Sequence, residues 1–157
     1  MSDKKDSPAI NKYIHPPIVA MFYIIVGILL GRFISIPLAI PSVIKNIGLA
    51  LIFIGFLCGV GAFLEFRKAK TTVNPHGSVS SIISSGIYRF TRNPIYLGFL
   101  LMVIGFPLAY GSWWGIIVAP FFVISMNRLV IEKEEAYLEK KFKEQYTSYK
   151  SRVRRWI

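Results

Sequence analysis

The sequence predicts an all-α integral membrane helical bundle, about four transmembrane helices with a cytoplasmic carboxy-terminal amphipathic helix. Three observations lead there. Of 157 residues, 54% are hydrophobic and 17% charged, with a mean hydropathy of +0.50, a balance too apolar for a soluble domain of this length. The apolar residues gather in four runs, and roughly 20 residues cross a bilayer core. Lys and Arg number 19 against 8 Asp and Glu, and they cluster on one side of those runs. Beside apolar spans, such a cationic excess points to anionic lipid headgroups and membrane orientation, not to nucleic acid.

The first run, Pro17 to about Ile40, is interrupted by Arg32, so the span ends near Gly31 or lets Arg32 snorkel to the interface. It lacks a small-residue cleavage site and reads as a signal anchor. The second run, Ile47 to Leu64, meets no charge before Glu65. Cys58 lies within it, the single cysteine of the chain, which leaves no intrachain disulfide and no cysteine-based zinc site. The third and fourth runs, Ile95 to Tyr110 and Trp114 to Ile131, flank Gly111-Ser112-Trp113 and form a tight hairpin with Tyr110, Trp113 and Trp114 as interfacial anchors. Lys4, Lys5 and Lys12 precede the first run, five basic residues occupy the central loop, nine follow from Arg128 onward, and only Arg32 and Lys45 fall at the outer turn. The positive-inside rule therefore puts both termini and the Arg67 to Asn93 loop in the cytoplasm. The chain reads as one domain, residues 1–157, with a two-span half at 1–66 and a cofactor-binding half at 67–157.

Gly27-x-x-x-Gly31 and Gly55-x-x-x-Gly59 each place two glycines on one helix face, which serves pairing of the first two helices or a homo-oligomer contact equally well. Pro107 and Pro120 remove backbone hydrogen bonds inside spans and suggest kinks or a lateral opening.

Polar chemistry gathers in two segments. In Gly86-Ile-Tyr-Arg-Phe-Thr-Arg-Asn-Pro-Ile-Tyr-Leu-Gly98, Asn93 and Pro94 read as the N-cap and first residue of the third span. Free amides, the helix dipole and Arg92 there make either an ordinary cap or a site for a carboxylate or phosphate. In the tail, Leu138, Phe142, Tyr146, Tyr149 and Val153 recur at intervals of four, four, three and four, the stripe of an amphipathic helix on the membrane or against the bundle. Glu134 and Glu135 lie about a turn beyond the fourth span, where a carboxylate is costly unless paired. His15 and His76 have no histidine or carboxylate partner at metal-ligand spacing, so no metal site is expected. No Walker loop and no strand-borne G-x-G-x-x-G is present.

In order and spacing these segments resemble the isoprenylcysteine carboxyl methyltransferases and their relatives, the phospholipid N-methyltransferases and small bacterial membrane methyltransferases. The residues that carry the resemblance are Gly86-x-Tyr88, Arg92-Asn93-Pro94-x-Tyr96-x-Gly98, the hairpin, Arg128, Glu134-Glu135-x-x-Leu138, Phe142, Tyr146-x-x-Tyr149 and Val153, with Thr72-x-x-Pro75 similar to the family's entry loop. The resemblance implies S-adenosylmethionine held at the cytoplasmic face by Gly86, Tyr88, Arg92, Asn93, Pro94, Tyr96, Leu97, Glu134 and Glu135. It also implies a lipophilic small-molecule or lipidated acceptor arriving from the bilayer. Arg92 suits the donor's carboxylate, and Glu134 or Glu135 its ammonium or ribose hydroxyls. Arg92, Asn93, Arg128 and Glu135 are the catalytic candidates, with Arg128 orienting an anionic acceptor. No metal is required. The eukaryotic carboxyl methyltransferases carry histidine where this chain has Asn93, and Asn is no general base, which favours an acceptor already ionised. Lys143 stands where the family has glycine. Carboxyl O-methylation is the leading expectation, with phospholipid N-methylation and thiol S-methylation as rivals. An NADPH-dependent membrane reductase and a non-enzymatic small membrane protein are the alternatives of another class.

Overall fold

The computed structural model describes residues 6–70 and 76–157. Four apolar helices build the bundle: α1 (Pro16–Phe33), α2 (Ser42–Lys68), α3 (Pro94–Ala109) and α4 (Trp114–Met126). A short 3-10 turn, Gly86–Arg89, precedes α3. Beyond α4 a π-helical turn at Asn127–Ile131 runs straight into α5 (Glu132–Phe142), and α6 (Glu144–Arg152) follows. No strand occurs among the described residues.

Each boundary has a local cause. Prolines at the first helical positions, Pro16 and Pro94, fix φ and lack only a donor that the first turn leaves unpaired. Gly111, at φ +82°, turns the α3–α4 hairpin as a left-handed residue at the helix end. Ending the first span at Phe33 leaves Arg32 in the last turn, where its cation suits the helix carboxyl end. The indole N–H groups of Trp114 and Trp113 donate to the carbonyls of Ile34 and Leu38, at 2.7 and 3.0 Å. These aromatic residues therefore pin the α1–α2 connection over the hairpin as well as anchoring its tip.

The bundle is apolar inside and out. Val103, Phe122, Met126, Val130 and Ile131 are fully buried, whereas Met21, Phe22 and Leu29 of α1 and Phe53, Phe56 and Leu57 of α2 lie exposed. A surface of that kind is stable only against lipid. Helices α1 and α2, and the continuous helix Trp114–Phe142, are each long and apolar enough to cross a membrane, while α3 is shorter. The chain is an integral membrane protein.

Close approach inside this bundle runs between α2 and α3 and corrects one expectation. A Cβ on Gly55 would stand 2.6 Å from the Gly98 carbonyl oxygen, and one on Gly48 would stand 2.8 Å from that of Gly105. The reciprocal distances are 2.5 and 2.7 Å. Both helices carry glycines seven residues apart, so two antiparallel backbones meet twice, two turns apart. The glycines of α1 instead face the hairpin: Gly27 abuts Pro107, whose ring also meets Gly115, and Gly31 abuts Ser112. Gly59 has nothing within 4 Å of a built Cβ. The two G-x-x-x-G motifs thus do not pair α1 with α2, because α3 stands as the common partner of both helices.

The tail helix is also corrected. The 4-4-3-4 stripe is not one helix along the membrane, since Lys143, at φ +46°, breaks it into α5 and α6. Helix α6 turns inward and buries Tyr146 and Tyr149, with the Tyr149 hydroxyl donating to the Tyr88 carbonyl at 2.7 Å.

Replacing Gly55 or Gly98 by valine should lower the stability of the detergent-purified protein by about 1–3 kcal/mol, through overpacking against a backbone that cannot yield. Gly59→Ala should lose no stability and should gain up to about 1 kcal/mol, since nothing stands within 4 Å of the added methyl and alanine is the better helix former. Equal loss in all three variants would refute the α2–α3 contact.

Candidate functional site

A short helix between two long ones makes a recess. At 1.5 Å per residue, α2 is about 40 Å long, the α4-to-α5 helix about 43 Å and α3 only about 24 Å. The start of α3 therefore lies below the rims formed by Phe66 of α2 and by α5. A cleft of about 880 Å³ of empty space, partly open to solvent, lies there. Its lining includes Pro8, Phe66, Ser81, Ile82, Tyr88, Arg92 to Tyr96, Glu134, Glu135, Leu138, Tyr146 and Tyr149.

The amino-terminal segment and the central loop close one side. The Tyr137 hydroxyl accepts from the Val79 N–H and donates to the Asp6 carboxylate at 3.0 Å, and Lys141 and Ser78 bond the same carboxylate. Lys141 foremost, with Ser78 and Tyr137, holds the Asp6 carboxyl down at about 2, so this latch stays charged at neutral pH. His15 and His76, remote in sequence, meet edge to face with ring centroids 5.4 Å apart. They are paired, not isolated, because the loop folds back against the start of α1. Among the described residues no group of three histidine, cysteine or carboxylate side chains is disposed to hold a metal.

The charged centre is built around Glu135, whose side chain is 8% exposed. Arg155 donates through Nε and Nη2 to its two oxygens, at 3.0 and 2.7 Å. Arg92, also 8% exposed, reaches Oε1 with Nη2 at 3.1 Å, and Lys150 lies 4.0 Å from Oε2. The chain segment after α6 holds this arrangement from behind. The Arg92 N–H donates to the Arg154 carbonyl, while the Asn93 side-chain amide and the Thr91 hydroxyl donate to the Arg155 carbonyl. The indole of Trp156 donates to Asn127 in the π turn. Asn93 is therefore the N-cap residue by position but not by side chain: its amide is committed to Arg155, and no side-chain bond caps α3. The amides of that first turn are left without an Asn acceptor.

Three buried side-chain atoms lack a hydrogen-bond partner among the described residues: Ser81 Oγ, Arg92 Nε and Arg92 Nη1. All three belong to residues that line the cleft. Buried donors left unmade are costly, and a functional site explains them. Glu134 also lines the cleft, half-buried, and accepts from the Tyr96 hydroxyl at 2.8 Å. Burial pushes the Tyr88 and Tyr146 hydroxyls well up and that of Tyr149 to about 12, so all three stay protonated donors. The recess thus offers cationic donors, a carboxylate and an aromatic and aliphatic lining in one cleft.

Of the residues singled out from sequence, Tyr88, Arg92, Asn93, Pro94, Tyr96, Glu134 and Glu135 come together here. Gly86 and Leu97 do not line the cleft. Gly86, at φ +55°, backs onto Glu65, where a Cβ would stand 2.6 Å from the carboxyl carbon. Glu65 is in turn bound by Lys68 at 2.7 Å and by Ser85. Gly86 therefore shapes the turn that carries Tyr88. Arg128 is 76% exposed, pairs with Glu132 at 3.8 Å and faces away, because the π turn shifts the register between α4 and α5. The residues 71–75, and with them Thr72-x-x-Pro75, lie outside the described residues. Sequence reasoning did not find Ser81, Phe66 or Arg155. Only Arg155 carried a signal, as one of the nine basic residues from Arg128 onward that read as marking membrane orientation.

A model of the phospholipid methyltransferase family matches residues 43–145, which takes in α2, α3, α4 and the glutamate pair. An uncharacterized protein of Haemophilus influenzae is 39% identical over 66 residues, 40% of this chain and all of that protein. A protein-S-isoprenylcysteine O-methyltransferase of Schizosaccharomyces pombe is 28% identical over 111 residues, 64% of this chain and 45% of the enzyme, so the chain spans less than half of that relative's length. With the family match covering about two thirds of its residues, the chain belongs to the phospholipid methyltransferase family of membrane methyltransferases.

Proposed function

We propose that the cleft binds S-adenosylmethionine and that the chain transfers its methyl group to a lipophilic acceptor at the cytoplasmic membrane face. The observation that carries this is the set of unpartnered Arg92 donors in an aromatic recess that Glu134 also lines. The donor's aminocarboxylate end needs a cation for its carboxylate and an acceptor for its ammonium, and both are present at one cleft. Arg92 Nε and Nη1 would take the carboxylate, aided by the open amides at the start of α3. Glu134, oriented by Tyr96, would accept from the ammonium or the ribose hydroxyls. Glu135 is saturated by its ion pairs and would serve Arg92, not the ligand. Tyr88 and Phe66 offer ring faces to adenine or to the sulfonium.

Bound there, S-adenosylmethionine supplies an activated methyl group for in-line displacement. The residues present would contribute orientation and exclusion of water, with no covalent enzyme intermediate. Among the described residues no histidine lines the cleft, which favours an acceptor that is already anionic. The S. pombe relative is named for O-methylation of protein S-isoprenylcysteine, an acceptor chemistry of that kind. A carboxylate at the end of a lipid is accordingly the first acceptor class to test, ahead of phospholipid amines and thiols. The orientation follows from charge: counting the hydrocarbon thickness of about 30 Å from Trp114 along the helix ends near Lys133. The glutamates and the basic tail then lie just outside, on the cytoplasmic side.

Calorimetric titration into detergent-purified protein tests the donor site. Wild type should bind S-adenosylmethionine saturably and NADPH not at all. Arg92→Ala should weaken the donor by roughly tenfold or more, the loss of a charge-assisted contact. Glu134→Gln should weaken it less, and Arg128→Ala should match wild type. Binding of NADPH alone, or unchanged donor affinity in Arg92→Ala, would overturn the assignment. Orientation is tested separately in a Cys58→Ser background carrying Ser80→Cys: an impermeant thiol reagent should label it only from the cytoplasmic side.

A further inference from the structure

We infer that Arg155 is a positioning residue: by occupying both oxygens of Glu135 it leaves two Arg92 donors free to read the carboxylate of the bound ligand. The inference rests on the methyl-donor reading of the cleft.

Two guanidinium groups compete for one buried carboxylate. Arg155 binds it in a fork through Nε and Nη2, at 3.0 and 2.7 Å. Arg92 is left with a single contact to the carboxylate, Nη2 at 3.1 Å; its Nε and Nη1 stay buried with no hydrogen bond of good geometry, the Tyr146 hydroxyl being the neutral group beside the guanidinium. An arginine beside a free carboxylate takes both oxygens by preference, because the planar fork matches them. Without the Arg155 side chain, Glu135 would offer both oxygens to Arg92, and the guanidinium would spend a second nitrogen on Glu135 instead of on a ligand. Lys150 is no substitute, since it stands 4.0 Å from Glu135 and is bonded to Glu139.

The role belongs to the side chain alone. The backbone carbonyls of Arg154 and Arg155 hold Arg92, Asn93 and Thr91 independently of it, and Trp156 anchors the same segment to Asn127. Arg155→Ala therefore keeps every one of those bonds. The chemistry at stake is discrimination: a ligand with an aminocarboxylate arm gains from the free donors, and the same nucleoside without that arm does not.

Calorimetry with S-adenosylhomocysteine and with 5′-methylthioadenosine, which lacks the aminocarboxylate, separates this from a structural role. Arg155→Ala should bind S-adenosylhomocysteine roughly tenfold more weakly, about one charge-assisted contact, and 5′-methylthioadenosine within about twofold of wild type. Arg155→Lys should recover part of the difference. Adding Glu135→Gln to Arg155→Ala should recover more, because the competing charge is gone. Equal weakening of both ligands, no weakening of either, or failure of the double variant to recover would overturn the inference while leaving the donor site intact. Wild type binding neither ligand would overturn the donor reading and this inference together.

Discussion

Four stretches of chain converge on one buried carboxylate. Glu135 on α5 is met by Arg92 from the start of α3, by Lys150 from α6 and by Arg155 from the segment beyond α6. A carboxylate at the end of an apolar bundle is costly unless it is paired and hydrogen-bonded, so these partners are obligatory once Glu135 is there. Their convergence dictates the remainder of the polar end. To bring Lys150 and Arg155 back, the tail must reverse at Lys143. That reversal buries Tyr146 and Tyr149, and Tyr149 then fixes the turn that carries Tyr88.

The lipid sets the other constraint. With apolar surroundings on both sides of each helix, association gains little from burial and depends on close packing. Glycines at seven-residue spacing on α2 and α3 let two backbones approach, and α1 reaches the hairpin through Gly27 and Gly31. Length then does the rest. A 16-residue α3 held against a 27-residue α2 and the 29-residue helix from Trp114 to Phe142 cannot fill the end of the bundle. The cleft follows from that shortfall, and its floor is a helix start with free amides.

Much of this was legible in the sequence because it is local. Hydropathy marks the spans, Asn93-Pro94 marks the start of α3, and Gly111 marks the hairpin, each through the preferences of a few adjacent residues. Arg92 and the two glutamates stood out as charges at a boundary where charge is expensive. What was not legible depends on partners distant in the chain. Gly55 pointed to close packing, but only the facing Gly98 says against which helix. Asn93 has the identity of a cap, yet its amide is claimed by a carbonyl 62 residues away. A lysine at positive φ leaves no mark of its own, so the break at Lys143 was signalled only by the family's glycine at that position, within a stripe of otherwise regular spacing. Arg155 was hidden among basic neighbours that are exposed.

The glutamate pair shows how adjacency in sequence becomes a division of labour. Successive residues on a helix point about 100° apart, so Glu134 and Glu135 cannot share a partner on one face. Glu135 is met by Lys150 of α6, by Arg155 of the segment after it and by Arg92 just before α3; Glu134, among the described residues, is met by the Tyr96 hydroxyl of α3 alone. One carboxylate is consumed in holding the site together and the other retains acceptor capacity. The same division runs through Arg92, which gives one nitrogen to Glu135 and keeps two in reserve. A fully satisfied network at this position would be more stable and would have nothing to offer a ligand. The unpartnered donors are affordable because Glu135 is neutralised from its far side, so the cleft's capacity to bind depends on contacts made outside it.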